Sequence, residues 1–171
     1  ILEDLKAMGL LFDAPKFEHE YSYSGTDLGA SVRPEAIFFR LWAPTAQEVI
    51  LRIYKSGNPH SEDLIDAVSM HRDIKGTWIT SVGREYVDHY YDYLVTAEGI
   101  SRACCDPYAK TTGANGQRAM IFDAKDTDPE GWGQDSCCHR RTPLTDHVIY
   151  EVHIRDLTVH PSSAVGHKGK Y

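Results

Sequence analysis

The fold is decided by two neighbouring stretches, Ile37-Phe-Phe-Arg-Leu-Trp42 and Val49-Ile-Leu-Arg-Ile-Tyr54. In both, apolar side chains recur at every second position, which is the period of a β-strand. Pro44 follows the first stretch, and Ser56-Gly-Asn-Pro59 follows the second; these residue types mark turns. Each stretch is therefore predicted to form a strand of about six residues with one apolar face.

Further runs of this kind continue along the chain, with turn residues between them. Thr77-Trp-Ile-Thr-Ser-Val82 is rich in β-branched residues. Residues 90–96 are followed by Glu98-Gly99, so residues 101–105 are predicted to be their hairpin partner. Several short strands separated by turns predict an all-β fold, an immunoglobulin-like antiparallel β-sandwich, over residues 36–127. The predicted buried side chains include Phe39, Leu41, Leu51, Ile53, Trp78 and Leu94.

The chain outside this predicted sandwich divides into residues 1–35, 128–145 and 146–171. In the first segment, apolar residues recur every three positions over residues 2–11, which predicts a short N-terminal helix. Residues 21–29 are rich in turn-forming residues and are predicted to be a loop that leads into the sandwich. The polar, turn-rich residues 128–145 are predicted to be a linker.

A second strong β pattern opens the C-terminal segment, over residues 146–159. One predicted face carries Val148, Tyr150, Val152 and Ile154, and the other carries Ile149, Glu151, His153 and Arg155. On the residues alone, two interpretations stand. The strand lies at the edge of a sheet with its polar face in water, or that polar face belongs to a network inside a larger fold.

Composition excludes several classes of protein. The chain has 171 residues and a formal net charge of −7, which argues against a general nucleic-acid binder. It has no apolar run of membrane-spanning length and no secretory signal, so we expect no membrane partner and a cytoplasmic location, with secretion as the alternative. The four cysteines form the adjacent pairs Cys104–Cys105 and Cys137–Cys138, without metal-binding spacing. We expect reduced thiols, and a bridge between the pairs stays open.

Few residues suggest a binding site. Trp42, Trp78 and Tyr91 are candidates for stacking on sugar rings, although core packing is the more frequent use of aromatic residues in strands and is the favoured interpretation. The acidic residues between 123 and 130 lack the spacing of a calcium loop and are interpreted as a solvated connector. Asp106, which precedes a proline, is predicted to start a turn through its side chain. We expect no metal and no cofactor.

Several strings, taken together and in this order, resemble one enzyme family. They are Tyr21-Ser-Tyr-Ser-Gly-Thr-Asp-Leu-Gly-Ala30, Phe39-Arg-Leu-Trp-Ala-Pro-Thr-Ala46, Asp106-Pro-Tyr-Ala-Lys110, Gly113-Ala-Asn-Gly-Gln-Arg118, Asp128-Pro-Glu-Gly-Trp132 and Asp146-His-Val-Ile-Tyr-Glu-Val-His-Ile-Arg-Asp156. The family is glycoside hydrolase family 13, of the pullulanase kind. The resemblance covers about residues 20–171.

The resemblance implies a parent enzyme that hydrolyses α-1,6 bonds in pullulan, starch or glycogen with retention, using two carboxylates on a (β/α)₈ barrel. It implies that the sandwich is an accessory module like carbohydrate-binding module 48. It also favours the barrel interpretation of residues 146–159 in the intact enzyme, with Glu151, His153 and Arg155 on the polar face of the first barrel strand. The partners implied are the rest of the barrel and α-glucan.

No residue of this sequence matches the family's catalytic motifs, so we assign no catalytic residue and expect the chain alone to be inactive. The hairpin after Val95 lacks a tryptophan that related glycogen-binding modules use, so we expect glucan binding no tighter than roughly millimolar. Two alternatives from other functional classes remain. They are a free-standing α-glucan-binding module and an immunoglobulin-like interaction domain.

Overall fold

The computed structural model describes residues 12–136 and 143–170. The predicted helix over residues 2–11 and the pair Cys137–Cys138 lie outside the described residues. The chain divides into two compact units, one ending at Asp128 and the other beginning at Pro129. The described helices and strands are α1 (Pro15–Tyr21), β1 (Gly29–Val32), β2 (Ile37–Trp42), β3 (Glu48–Tyr54), β4 (Leu64–Ser69), β5 (His71–Arg72), β6 (Thr77–Val82), β7 (Tyr90–Ala97), β8 (Ile100–Cys104), β9 (Ala119–Met120) and α2 (Ile154–Thr158).

The first unit is an antiparallel β-sandwich, which confirms the predicted fold class. Its first sheet has the strand order β1-β2-β6-β5, and its second has the order β4-β3-β7-β8, with β9 also paired to β7. All of these pairings are antiparallel. The predicted hairpin between the strand at residues 90–96 and its partner is confirmed as β7–β8.

The core lies between the two sheets and follows the alternation seen in the sequence. Leu41 pairs with Trp78 across the first sheet, and Leu51 pairs with Tyr93 across the second, so each pair points inward together. Of the six predicted core residues, Phe39, Leu41, Leu51, Ile53 and Trp78 are buried. Leu94 is only half-buried, so that prediction is wrong. Tyr91 and Tyr93 occupy the inward positions of β7, which leaves Leu94 on its outer face.

The lead-in segment has more structure than its sequence indicated. Residues 21–29 were predicted to be a loop, but Gly29 is the first residue of β1, which pairs with β2 and extends the first sheet. The sandwich therefore begins before residue 36. The helix α1 was not predicted, because seven residues with one buried side chain, Phe17, give little periodicity to read.

The second unit differs most from the prediction. No strand forms within the described residues 143–170; residues 147–153 have neither helix nor strand, and α2 occupies Ile154–Thr158. The predicted strand over residues 146–159 is therefore wrong for this structure. A strand depends on hydrogen bonds from a neighbour, whereas a helix supplies its own. The bonds from Leu157 N–H to His153 O and from Val159 N–H to Arg155 O, at 3.0 and 2.8 Å, are of this local kind.

Candidate functional site

Two of the three aromatic candidates have no ring face free for a sugar. Trp78 is 5% exposed and donates its indole N–H to Ala43 O at 2.9 Å, with Arg72 stacked on its ring. Tyr91 is 1% exposed and donates its hydroxyl to Asp106 at 2.7 Å. Both rings therefore form part of the core and its immediate boundary.

The third candidate, Trp42, is 37% exposed and lies on the outer face of the first sheet. Its indole N–H donates to Tyr21 O at 2.7 Å and to Lys75 O at 3.1 Å. Phe17 of α1 meets the indole edge-on at 6.5 Å between ring centroids. Trp42 therefore docks α1 onto the sheet.

Beside Trp42 on the same strand, Arg40 is the centre of a charged network on this outer face. Its guanidinium donates to Asp27 at 2.9 Å, to Asp73 at 2.5 Å and to the Thr77 hydroxyl at 2.8 Å. Tyr23 donates its hydroxyl to the same Asp27 carboxylate, and its ring lies 5.3 Å from the guanidinium. The network ties the lead-in segment to strands from the middle of the sheet and holds Arg40 in one orientation.

The same contacts shift the pKa values of the network. The bond from Tyr23, with a smaller contribution from Arg40, lowers the pKa of the Asp27 carboxyl against the opposing effect of burial. The bond from Arg40 likewise lowers the pKa of Asp73. Burial opposes the charge of Arg40, but its bonds to Asp73 and Asp27 outweigh that cost and raise its pKa. Asp27, Asp73 and Arg40 are therefore stabilised in their ionised forms.

Next to this network, the outer face of the first sheet carries a groove of about 600 Å³, here called the Phe38 groove. Register places its side chains in two cross-strand rows. Ser31, Phe38 and Ser81 form one row, and Arg40, Ile79 and His71 form the other. The floor is apolar, formed by the half-buried Phe38 and Ile79, and the remaining side chains of the rows are polar.

The outer face of the second sheet holds a different network, whose polar groups bond to one another. Arg52 and Asp92 form a two-bond ion pair at 2.8 and 2.7 Å. Arg118 stacks on the Tyr54 ring at 3.6 Å and donates to Asp63 at 2.8 Å, as well as to two backbone carbonyls. This arrangement fixes the loops at one end of the sandwich.

Asp106 confirms one prediction and adds a role that the sequence did not reveal. One carboxylate oxygen accepts the Tyr108 backbone N–H at 2.8 Å, which is the predicted side-chain turn. The other oxygen accepts the hydroxyls of Tyr91 and Tyr93 from the core. Burial raises the pKa of Tyr93 well above its ordinary value, with Asp106 adding to the shift, so both hydroxyls stay protonated donors.

The predicted polar barrel face is not assembled. Glu151 lies in the irregular segment before α2, His153 is the residue that precedes the helix, and Arg155 lies within it. All three are exposed, and His153 contacts Asp156 at 3.6 Å. The apolar residues of the same segment are also exposed, Ile149 at 89%. The structure therefore does not bring Glu151, His153 and Arg155 onto one face of a strand.

Other chemistries find little support in the described part of the chain. No group of three or more His, Cys, Asp or Glu side chains there is placed to hold a metal ion. Cys104 and Cys105 are free thiols, and burial raises the pKa of both, which favours the neutral form. Among the described residues, no helix is both long and apolar enough to cross a bilayer.

Sequence reasoning missed the Phe38 groove and the Arg40 network. The alternation along this strand puts Phe38 and Arg40 on the face opposite Phe39 and Leu41, as the structure has them, but a strand pattern does not show which outward side chains meet across a sheet. The available signal was the outward run Phe38, Arg40, Trp42, in which an aromatic, a cation and an aromatic alternate.

Comparison with known proteins agrees with this architecture. Residues 27–109 match the family described as "Carbohydrate-binding module 48 (Isoamylase N-terminal domain)". Chloroplastic pullulanase 1 of Arabidopsis thaliana is 34% identical over 163 residues, covering 86% of this chain and 16% of that protein. Pullulanase A of Streptococcus pneumoniae is 30% identical over 167 residues, covering 86% of this chain and 13% of that protein. The chain thus spans less than a fifth of these curated relatives.

Solved structures extend the match beyond the module. A pullulanase from Paenibacillus barengoltzii, described as a complex with maltohexaose and α-cyclodextrin, has a TM-score of 0.79 and 39% identity. The alignment covers 97% of this chain and 25% of that one. A pullulanase from Anoxybacillus sp. LM18-11, complexed with maltotetraose, has a TM-score of 0.77 and 34% identity over 95% of this chain and 22% of that one. Residues 27–109 therefore match carbohydrate-binding module 48, and the chain is similar along nearly its whole length to part of the solved pullulanases.

Proposed function

We propose that this chain is the N-terminal accessory portion of a pullulanase-type debranching hydrolase, which cleaves α-1,6 bonds in pullulan, starch or glycogen. One observation carries the proposal. The similarity to solved pullulanases covers 97% of the chain, whereas the binding module matches only residues 27–109. A free-standing module explains the match to the module but not the match on both sides of it.

In this proposal the chain contributes structure and the rest of the protein contributes catalysis. A retaining glycosidase holds two carboxyl groups about 5 Å apart on rigid elements. Glu151 and Asp156, the carboxylates nearest the predicted barrel strand, are both exposed and lie on different elements. We therefore assign neither of them to catalysis and place the catalytic pair outside this chain.

The role of the sandwich follows from its rigidity. Two sheets packed on a core of large side chains, with the Arg40 and Arg118 networks on their outer faces, make a stiff body. Such a body suits the buttress of a catalytic barrel and the wall of a substrate cleft. The partners in this proposal are the remaining barrel and the α-glucan substrate.

A second candidate function is a module that only binds α-glucan. It is favoured by the family match and by the maltooligosaccharides named for the similar structures. The two candidates differ in what the complete protein does. A debranching enzyme releases reducing sugar from pullulan, whereas a binding module holds the polysaccharide without cleaving it.

The test uses the complete protein encoded by the gene that contains this sequence, beside the 171-residue chain. We expect the complete protein to release reducing sugar from pullulan, and the chain to release none. Linear amylose, which lacks α-1,6 bonds, is the control substrate. A complete protein without activity on pullulan contradicts the debranching proposal. Activity of the chain alone, lost on Glu151→Gln, contradicts the assignment of catalysis to the rest of the protein.

A further inference from the structure

We propose that the free edge of β1, together with the groove beside it, is a docking site for an extended, acidic segment of another protein. The segment would add to the first sheet as a further antiparallel or parallel strand. The proposal goes beyond the proposed function and does not depend on it. The site lies within the first unit, on the side of β1 away from β2.

The first argument is the unpaired backbone of β1, which is an edge strand of its sheet. Arg33 N–H donates to Ala36 O at 2.9 Å across the turn between β1 and β2. Because hydrogen-bonded pairs alternate along an antiparallel ladder, the next residue of β1 that bonds to β2 is Ser31. The N–H and C=O groups of Ala30 and Val32 therefore point away from β2, and no group in the described part of the chain bonds to them. Two donors and two acceptors are thus available to an added strand.

The bonds on the other side of β2 support this assignment. Ala43 N–H donates to Gly76 O at 3.1 Å, just beyond the last pair of the β2–β6 ladder. By the same alternation, the odd-numbered residues of β2 bond to β6 and the even-numbered residues bond to β1. Gly29 and Ser31, which lie opposite even-numbered residues, are therefore the ones that bond to β2.

The second argument is the groove that adjoins this edge, here called the β1 groove. It has a volume of about 290 Å³ and is lined by β1 and by residues between 108 and 124. Its apolar lining includes Tyr108, Met120 and Phe122. The volume is just below the range of roughly 300–1,000 Å³ that is typical of small-ligand sites. The groove therefore suits one or two apolar side chains of an added strand better than a whole small molecule.

The third argument is the charge of the β1 groove. Arg33 and Lys110 line it, and Lys110 is exposed and forms no ion pair with any residue that the structure describes. Asp123, the one anion among the lining residues, is paired with Arg84 at 3.6 Å. The groove thus carries excess positive charge on a chain whose net charge is −7. This charge favours an acidic segment over a neutral or basic one.

The test is a titration of the ¹⁵N-labelled 171-residue chain with a capped peptide of alternating glutamate and valine, about seven residues long. We expect amide shift changes in β1 and in residues 108–124, with a dissociation constant on the order of 0.1 mM. In the free chain, the amide protons of Ala30 and Val32 should exchange quickly with solvent and that of Ser31 slowly. Binding should slow the exchange of Ala30 and Val32 by about tenfold or more. Protection of these alternate amides distinguishes an added strand from a contact made by side chains alone.

Control peptides and variants separate charge from backbone pairing. A peptide with lysine in place of every glutamate should bind about tenfold more weakly, and a peptide with proline in place of its central valine and glutamates should not protect Ala30 or Val32. Lys110→Glu should weaken binding about fivefold, and because Lys110 is exposed the variant should keep the spectrum of the folded chain. Lys55→Glu makes the same change of charge at an exposed position just beyond β3 and should leave the affinity unchanged.

The outcomes that overturn the proposal are distinct. They are no binding of the glutamate peptide, equal binding of the lysine peptide, and binding that leaves the exchange of Ala30 and Val32 unchanged. The complete protein should bind the glutamate peptide with the same affinity as the chain. If it does not, its own remaining segments cover the edge, and docking of another protein is overturned. None of these outcomes affects pullulan hydrolysis, so the proposed function is tested separately.

Discussion

Replacing Asp106 with alanine is expected to destabilise the sandwich strongly, although the residue lies in a connecting segment. The Asp106 carboxylate accepts hydrogen bonds from the hydroxyls of Tyr91 and Tyr93, at 2.7 and 3.3 Å, and from the Tyr108 N–H at 2.8 Å. Both tyrosine side chains are almost completely buried. In Asp106→Ala the two hydroxyls remain buried away from water but no longer have the acceptor whose hydrogen bonds offset the free energy of their desolvation.

The magnitude follows from these contacts. An unsatisfied buried donor costs about 1–3 kcal/mol. The Tyr91 bond is short and the Tyr93 bond is long, so we place the two together near the middle of that range, and the lost turn adds about 0.5–1 kcal/mol. The free energy of unfolding should fall by about 3 kcal/mol. With a urea m-value of about 2 kcal/mol/M, the midpoint should fall by about 1.5 M.

The assay is urea unfolding of the chain followed by tryptophan fluorescence, with Asp126→Ala as the control because Asp126 is exposed. The control should change the free energy of unfolding by less than about 0.5 kcal/mol. The decisive comparison adds Tyr91→Phe. Tyr91→Phe removes one of the two hydroxyls that Asp106→Ala leaves without an acceptor. In the Asp106→Ala background it should therefore leave the free energy of unfolding unchanged or raise it, whereas as a single substitution it should lower it. A loss below about 1 kcal/mol in Asp106→Ala, or additive effects of the two changes, refutes the reasoning.

Three further predictions rest on other parts of the sandwich. Arg118→Met should lower the free energy of unfolding by about 2 kcal/mol, because it leaves Asp63 Oδ1 and two backbone carbonyls without the guanidinium donor, whereas Asp63 Oδ2 keeps the Ser56 N–H. Arg102→Met, at an exposed position of β8, should have little effect in the same urea assay. Gly113→Ala should lower the melting temperature, since its Cβ would lie 2.5 Å from the Gly57 backbone, whereas Gly133→Ala meets nothing within 4 Å; equal melting temperatures contradict this close approach. The pKa of Asp73 is lowered in the folded state, so its carboxylate contributes stability above the unfolded pKa of 3.8 and loses it as the pH falls through the folded pKa. Asp73→Asn should therefore reduce the dependence of the melting temperature on pH below about 4. An unchanged pH profile contradicts the role of Asp73 in the Arg40 network.

In the second unit, an alternating pattern of apolar residues does not form a strand because no neighbouring strand pairs with it. The alternation over residues 146–159 indicated a strand as strongly as the stretch before Pro44 did. The stretch before Pro44 pairs with β1 and β6, and it is a strand. Residues 147–153 pair with no described strand and are irregular, and a short helix follows from Ile154. Alternation of apolar and polar residues predicts which face of a strand would be buried. The hydrogen bonds that make the segment a strand come from another part of the chain.

The sequence by itself determined the all-β sandwich, most of its core and the relationship to pullulanases. These depend on short-range periodicity, turn residues and the order of matching strings, all of which can be read along one chain. Only the tertiary structure decided that Trp42 docks a helix, that Asp106 serves two buried tyrosines and that Ser31, Phe38 and Ser81 form one row. The physical reason is that strand register and the contacts between side chains of different strands are set by the packing of distant segments. Neither leaves a mark in the spacing of neighbouring residues.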